Sequence, residues 1–114
     1  MKIAVIGSRD FKNKELFDKI MDKEFTNLFN TMVTGGARGV DTWAIEWSKK
    51  DCVYCEVIRP INPANKLDYL FRNIEIITKA DKILVFWDGK SKGTKFVIDY
   101  AKARNKDMEV FKEG

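Results

Sequence analysis

The stretch "TMVTGGARGVDTWAIEW", residues 31–47, decides the fold. It begins as a short apolar strand, passes through three glycines, and then changes to apolar residues spaced three and four apart. These are Val40, Trp43, Ala44 and Trp47. The change of period predicts a strand, a tight loop and a helix that ends near Lys50, with both tryptophans in the core.

The same unit recurs on both sides of this stretch. Apolar runs predict further strands at 2–6, 53–58, 82–87 and 108–111. Helical spacing predicts helices from about Asn13 to Phe29, over Leu67–Ile77 and from Thr94 to about Arg104. The stripe of the first helix is Leu16, Phe17, Ile20, Met21, Phe25, Leu28 and Phe29. That of the third is Leu67, Leu70, Phe71, Ile74 and Ile77.

Strict alternation of strands and helices predicts right-handed crossovers and a sheet covered on both faces. We therefore expect an α/β fold, a Rossmann-like three-layer α/β/α sandwich with a mostly parallel five-stranded sheet. A chain of 114 residues suits one domain, residues 1–114, without disulfide or metal staples. The sequence shows no leader and no apolar run of about 18 residues, so we expect a cytoplasmic protein, in a cell or in the host cell of a virus.

Composition excludes several kinds of site. The chain has no histidine, so Ser-His-Asp and Cys-His catalysis are excluded. Cys52 and Cys55 have C-x-x-C spacing, but no other cysteine completes a zinc site, and we expect both to pack in the core. We predict no metal site.

Charge is spread evenly along the chain. There are 21 Lys and Arg against 17 Asp and Glu, a net charge of +4, and acids interleave with bases throughout. No basic stripe is visible, and no long apolar run is present. This pattern argues against nucleic acid or a membrane as a partner.

Three loops carry the candidate site. In a parallel sheet, all strand-to-helix loops lie at one edge, where ligands of open α/β sheets bind. Those loops are "GSRD" (7–10), "GGARGVD" (35–41) and "DGKSKGT" (88–94). Glycines let a backbone approach a ligand, helix N-termini attract anions, and arginine forks bind phosphate. The loops therefore predict a phosphorylated, nucleotide-like ligand. The candidate binding residues are Gly7, Ser8, Arg9, Gly35, Gly36, Ala37, Arg38, Gly39, Asp41, Arg72, Asn73, Trp87, Asp88, Ser91, Gly93 and Thr94.

Several of these residues also have a purely structural interpretation. A glycine turn is common after any buried strand, and neither G-x-G-x-x-G nor a P-loop is present. Asp41 could cap the second helix or accept hydrogen bonds from a ribose or a base. Arg72, with Asp68 and Glu75 nearby, could form a solvated ion-pair face. Trp87 could stack on a base or be plainly buried.

The chain resembles the YspA-type branch of the SLOG superfamily, small Rossmann-like domains related to YpsA, the LOG phosphoribohydrolases and DprA. The matching blocks are "IGSRDF" (6–11), "VTGGARGVDTWAIEW" (33–47), "RNIEII" (72–77) and "FWDGKSKGTKFVIDYA" (86–101), in family order. The resemblance implies a nucleotide derivative, such as ADP-ribose, NAD or a nucleoside monophosphate, held by these loops. Relatives often form homo-oligomers, although no feature of this sequence identifies an interface.

One departure from the LOG enzymes bears on catalysis. Their motif G-G-x-G-T-x-x-E carries a glutamate, whereas "SKGTKFV" places Val97 there. Arg72 resembles the LOG arginine, but Asp88 or Asp41 would have to replace the missing carboxylate. We therefore expect a module that senses, carries or sequesters a nucleotide, with no certain cofactor besides this nucleotide-like ligand and with the need for Mg²⁺ left open. The alternatives are LOG-like hydrolysis of a nucleotide N-glycoside and DprA-like binding of single-stranded DNA.

Overall fold

In the computed structural model, which describes residues 1–27 and 29–113, strands and helices alternate along the chain. The strands are β1 (Lys2–Gly7), β2 (Thr31–Thr34), β3 (Cys55–Val57), β4 (Lys82–Trp87) and β5 (Asp107–Lys112). The helices are α1 (Lys14–Glu24), α2 (Val40–Lys50), α3 (Lys66–Lys79) and α4 (Lys92–Ala103). No helix in the described part of the chain is long and apolar enough to cross a membrane.

The five strands form one sheet in the order β3-β2-β1-β4-β5, and every pair in it is parallel. This confirms the predicted fold class, with a sheet that is parallel throughout rather than mostly so. The chain runs outward from β1 through β2 to β3, and α3 then returns it to β4 on the other side of β1. Since the strand order reverses between β1 and β4, their carboxyl ends flank the crevice where open α/β sheets bind ligands.

Two apolar cores lie on opposite faces of the sheet, because successive residues of a strand point to opposite sides. On one face α1 and α2 cover Ile3, Val5, Met32, Leu84 and Phe86. On the other face α3 and α4 cover Ala4, Ile6, Val33, Ile83 and Val85. Trp47 is buried and Trp43 packs against the same core, as predicted.

Helix α1 is shorter than its apolar pattern predicts, so the expected boundary near Phe29 is wrong. The helix ends at Glu24, and the N–H of Phe25 donates the last helical hydrogen bond to the carbonyl oxygen of Met21. Asn27 then accepts a hydrogen bond from the N–H of Phe29, which is 86% exposed. Leu28, which belongs to the same predicted stripe, lies outside the described residues.

Strand β3 covers only half of the predicted 53–58. Cys52 has a positive φ of 57°, and the N–H of Val53 bonds to the carbonyl oxygen of Ser48 at the end of α2. Val53, the first residue of the apolar run, therefore belongs to the turn that follows α2, and the strand begins only at Cys55. Cys52 is exposed and Cys55 is half-buried, so core packing is wrong for Cys52 and holds for Cys55 alone.

The orientation of α3 also differs from its apolar stripe. Leu67 and Phe71 are 57% and 62% exposed, whereas Ile76 and Ile77 are buried together with Arg72. The helix is thus rotated so that a charged side chain faces inward near its middle. This rotation carries Arg72 to the edge of the sheet where the candidate loops lie.

Candidate ligand-binding cleft

A cleft of about 1120 Å³ opens at the carboxyl edge of the sheet, beside the crevice between β1 and β4. Its walls come from the loops after β1, β2 and β4, from the middle of α3 and from the N-terminus of α4. The predicted binding residues in these walls are Gly7, Arg9, Ala37, Asp41, Arg72, Asn73, Asp88, Ser91, Gly93 and Thr94. The others lie behind or beside the walls: Ser8, Gly35, Gly36, Arg38, Gly39 and Trp87.

Ser8 joins the loops after β1 and β4 from behind the cleft. Its side chain is only 1% exposed. Its Oγ accepts a 3.1 Å hydrogen bond from the N–H of Asp88 and lies 3.2 Å from the Oγ1 of Thr94. The hydroxyl is therefore satisfied by the protein, and it holds two loops of the site together.

Asp88 organises the loop before α4. Its Oδ1 accepts hydrogen bonds of 2.8 Å from the N–H groups of both Lys90 and Ser91. Those bonds favour the charged form and hold the pKa of Asp88 below its ordinary value. Ser91 caps α4 by accepting from the N–H of Thr94. Asp88 is thus an ionised acceptor that shapes the loop and a poor proton donor at neutral pH.

Trp87 supports the same loop from outside the cleft. Its Nε1 donates to the carbonyl oxygen of Ser91 at 3.1 Å, and the Nζ of Lys112 lies 5.4 Å from its ring centre. The indole is half-buried and is not part of the cleft wall. Its contacts with Ser91 and Lys112 place it as support for the loop before α4, and stacking of its ring on a base stays a prediction.

The glycine loop after β2 has two residues with positive φ, Gly36 at 75° and Gly39 at 80°. A Cβ at Gly39 would lie 2.6 Å from the carbonyl oxygen of Arg9, so the first two site loops touch through their backbones. Gly39 is also the residue that precedes α2, and Asp41 lies within the helix. The interpretation of Asp41 as N-cap is therefore wrong. Arg38 in this loop is exposed and outside the cleft wall.

Asp41 is a buried carboxylate in the cleft wall, only 4% exposed. Its Oδ2 accepts a 3.2 Å hydrogen bond from the N–H of Ala37, and its Oδ1 has no partner among the described residues. Burial raises the pKa of Asp41 to about 6, against the lowering effects of that N–H and of the charge on Arg72.

Arg72 is buried, only 8% exposed, so the solvated ion-pair interpretation is wrong. Its Nη1 donates to the carbonyl oxygen of Gly35 at 2.6 Å, and its Nε donates to the Oδ1 of Asn73 at 2.8 Å. The guanidinium also lies 5.3 Å from the ring centre of Tyr69. The two acidic residues that were expected beside Arg72 have other partners. Asp68 accepts a hydrogen bond from the N–H of Asn62, and Glu75 forms a salt bridge with Lys79.

A third arginine, Arg59, lies near Arg9 and Arg72. It is not among the binding residues predicted from the sequence. Arg59 follows β3, and its Nη1 donates to the carbonyl oxygen of Gly36 at 3.4 Å. Burial lowers the pKa of Arg72, and the charges of Arg9 and Arg59 lower it further. The loop after β3 has no glycine, so the glycine pattern does not reveal it, whereas its place at the carboxyl end of a parallel strand does.

Other cleft residues that the sequence did not single out are Asp10, Lys12, Tyr69 and Glu113. Glu113, just after β5, accepts from the N–H of Lys12 at 2.7 Å and from the N–H of Asn13 at 3.0 Å. This contact fastens the end of the sheet to the loop after β1. No group of three metal-ligating side chains occurs within residues 1–27 and 29–113.

Comparison by sequence finds no family model that matches the chain. Nor does any curated protein match it. Solved structures do match by shape. DNA processing protein A (DprA) from Streptococcus pneumoniae superposes with a TM-score of 0.80 at 16% identity, over 96% of this chain and 49% of that one. DprA from Helicobacter pylori gives a TM-score of 0.76 at 22% identity, over 96% of this chain and 64% of that one.

These matches confirm the Rossmann-like fold and that it is shared with DprA, one of the relatives that the sequence resemblance implies. At such identities the likeness concerns the fold, and the chain spans about half of one neighbour and less than two thirds of the other.

The prediction that nucleic acid is not a partner is contradicted by these neighbours. The Helicobacter pylori structure is described by its mode of binding single-stranded DNA, so a chain of this fold does bind nucleic acid. An even distribution of charge along a sequence does not exclude this, because distant residues gather at one edge of the folded sheet, as Arg9, Arg59 and Arg72 do here.

Proposed function

We propose that the cleft binds a phosphorylated nucleotide or nucleotide derivative, and that the protein acts as a sensor, carrier or sequestering module for it. Arg72 carries the proposal. Its guanidinium lines the cleft, and the protein uses Nε and Nη1 while Nη2 makes no hydrogen bond to any described residue. A guanidinium fixed in this way is ready to donate to phosphate without further loss of side-chain freedom.

Three further features support an anionic ligand. Arg9 is exposed on the same wall. Gly93 lies in the first turn of α4, and a Cβ there would meet nothing within 4 Å, so the backbone at this helix N-terminus is open to a ligand. The volume of about 1120 Å³ is ample for a nucleotide, since small-molecule sites typically measure about 300–1,000 Å³.

The cleft favours binding over hydrolysis. Val97, at the place of the LOG glutamate, is fully buried and lines the cleft, where it offers no proton and no charge. Asp88 is committed to the loop before α4. The assignment to the YspA-type branch of the SLOG superfamily belongs to the same proposal and rests on the order of the sequence motifs.

Titration calorimetry against AMP, GMP, CMP, UMP, ADP-ribose and NAD tests the proposal. We expect at least one of them to bind, and Arg9→Ala to weaken that binding by about tenfold or more, as expected for the loss of a charge-assisted hydrogen bond. Arg104→Ala is the matched control, because Arg104 follows the carboxyl end of α4, far from the cleft loops. Silence across the panel would reject the proposal, and equal affinity of Arg9→Ala and the parent protein would exclude Arg9 from the phosphate site.

Binding of single-stranded DNA is a second candidate, favoured by the fold shared with the Helicobacter pylori protein. Lys12 and Lys90 border the cleft, and Lys92 and Lys95 are exposed beside it on α4. Fluorescence anisotropy of a labelled oligothymidylate over a series of salt concentrations tests this candidate. Contacts to several phosphates would make affinity fall steeply with salt. No binding at low salt, or binding insensitive to salt, would exclude it.

A further inference from the structure

The carboxylate of Asp41 has acceptor capacity that the protein does not use. A carboxylate can accept about four hydrogen bonds. Asp41 accepts one close hydrogen bond, from the N–H of Ala37, and the more distant N–H groups of Gly7 and Gly35 also favour its charged form. Its Oδ1 has no hydrogen-bond partner among the described residues. Leaving a buried polar atom unpaired costs free energy, so such atoms call for an explanation. Because Asp41 lines the cleft, a ligand could supply the missing donor.

The nearest cation of the protein does not fill this role. Arg72 acts on Asp41 through its charge, but the two form no salt bridge, since Arg72 directs Nη1 to Gly35 and Nε to Asn73. A Cβ at Gly35 would lie 2.6 Å from the Nη1 of Arg72 and 2.9 Å from the Oδ2 of Asp41. The guanidinium of Arg72, whose Nη1 is used by Gly35, and the carboxylate of Asp41, whose Oδ1 is the unpaired atom, therefore flank one backbone position.

We propose that Asp41 accepts a hydrogen bond from a ribose hydroxyl of a ligand whose 5′-phosphate is held by Arg72, and that it selects ribose over deoxyribose. This inference rests on the proposed function. A nucleotide carries an anion and hydrogen-bond donors, and the donors nearest its phosphate are the sugar hydroxyls, whereas base amino groups lie farther away. The short separation of Arg72 and Asp41 thus matches the sugar. A hydroxyl is also neutral, so it can approach Asp41 without repulsion from the arginines around it.

The charge of the surroundings argues against a metal ion as the missing partner. The charges of Arg9 and Arg59 both act on Arg72, so three positive charges already gather in this region. Asp41 also belongs to no group of three carboxylate, thiol or imidazole side chains that could hold a metal ion in the described chain. A neutral donor is the better match.

Calorimetry with AMP, 2′-deoxy-AMP, 3′-deoxy-AMP and ribose 5-phosphate tests this inference on the intact protein. We expect at least one deoxy compound to bind about tenfold or more weakly than AMP, as expected for one lost hydrogen bond to a charged group. In Asp41→Ala that preference should disappear, because the acceptor is gone. Asp18→Asn, which changes an exposed carboxylate on α1 that pairs with Lys14, should keep it.

The outcomes separate this inference from the proposed function. If AMP and both deoxy compounds bind equally well, the ribose contact is wrong and the nucleotide site stands. If none of the four compounds binds and the wider nucleotide panel is silent too, both are rejected; if another nucleotide of that panel binds, its ribose and deoxyribose forms decide the ribose contact. Should Asp41→Ala not fold, the size-matched Asp41→Asn replaces it, and retention of the full ribose preference there would contradict a charge-assisted contact. Whether or not the variants fold, the affinities of the parent protein for AMP and for the two deoxy compounds test the ribose contact.

Discussion

The Nη1 of Arg72 donates a 2.6 Å hydrogen bond to the carbonyl oxygen of Gly35, across 37 positions of the chain. This bond joins α3 to the glycine loop after β2. It also fixes a buried guanidinium beside the carboxylate of Asp41, on the wall of the cleft. One side chain therefore serves both the stability of the fold and the charge of the site.

Arg72→Ala should destabilise the protein markedly. The substitution leaves the carbonyl oxygen of Gly35 without its donor, opens a cavity and deprives Asp41 of its nearest positive charge. We expect a loss of about 2–4 kcal/mol in the free energy of unfolding, measured with urea. Arg72→Lys should recover part of it, because lysine restores the charge but not the planar fork. A loss no larger than that of the surface variant Arg104→Ala would contradict this role.

Gly35→Ala should disturb the same contact from the other side. The added Cβ would meet the Nη1 of Arg72 at 2.6 Å, and real Cβ atoms do not approach so closely. The guanidinium must therefore move, and we expect lower stability together with weaker nucleotide binding. Circular dichroism during urea unfolding and calorimetry measure the two effects. Unchanged stability and binding would show that Arg72 can shift at no cost.

Gly93→Ala is expected to separate stability from binding. Position 93 lies in α4, and a Cβ there would meet nothing within 4 Å. Alanine is the better helix residue, so stability should rise by up to about 1 kcal/mol. If the open backbone holds phosphate, the new methyl group should weaken nucleotide binding in the same variant. A stabilised protein with full affinity would place the phosphate elsewhere in the cleft.

Ser8→Ala should loosen the junction of two site loops. The variant removes the acceptor of the Asp88 N–H and the partner of the Thr94 hydroxyl, in a place that is almost fully buried. We expect a loss of about 1–3 kcal/mol in the free energy of unfolding. Thr26→Ala, which removes an exposed hydroxyl bonded to the carbonyl oxygen of Lys23, should have a small effect. Equal losses in the two variants would argue against the junction.

Asp41 should make the free energy of unfolding fall as pH rises, which is the opposite of the usual effect of a carboxyl group. Its pKa rises from 3.8 to about 6 on folding, so the folded state holds its proton more tightly than the unfolded state does. Its contribution is therefore fully present below about pH 4 and is lost as pH rises through 6. The full change is about 3 kcal/mol. Urea unfolding between pH 4 and 8 should show this decline in the parent protein relative to Asp41→Asn. Parallel curves for the two proteins would contradict it.

The sequence predicted the fold well because its signals are local. The apolar run at 82–87 and the stripe from Val40 to Trp47 need only period and burial to be interpreted, and both elements have the predicted bounds. The glycine loops likewise follow from their position after buried strands. Shape comparison then confirmed the architecture.

The details of the site were less predictable because they depend on contacts between distant residues. Arg72 can be buried because its guanidinium donates hydrogen bonds to the carbonyl oxygen of Gly35 and to the side chain of Asn73. The spacing of apolar residues along a helix gives no sign of these contacts. The exposure of Phe71 follows from the rotation of α3 that buries Arg72. Asp41 resembled a helix cap by its place in the sequence, yet its carboxylate turns back to the N–H of Ala37. The orientations of these side chains are set by packing between distant parts of the chain rather than by local propensity.

The contact of Glu113 with the N–H groups of Lys12 and Asn13 also bears on the order of events during synthesis. A ribosome makes β1 first and β5 last among the strands, so a nascent chain that lacks β5 cannot complete this rim of the cleft. The proposed nucleotide affinity should therefore arise late, once Glu113 has emerged from the exit tunnel. Ligand retention by ribosome-bound chains of increasing length would then report that the last strand has joined the sheet.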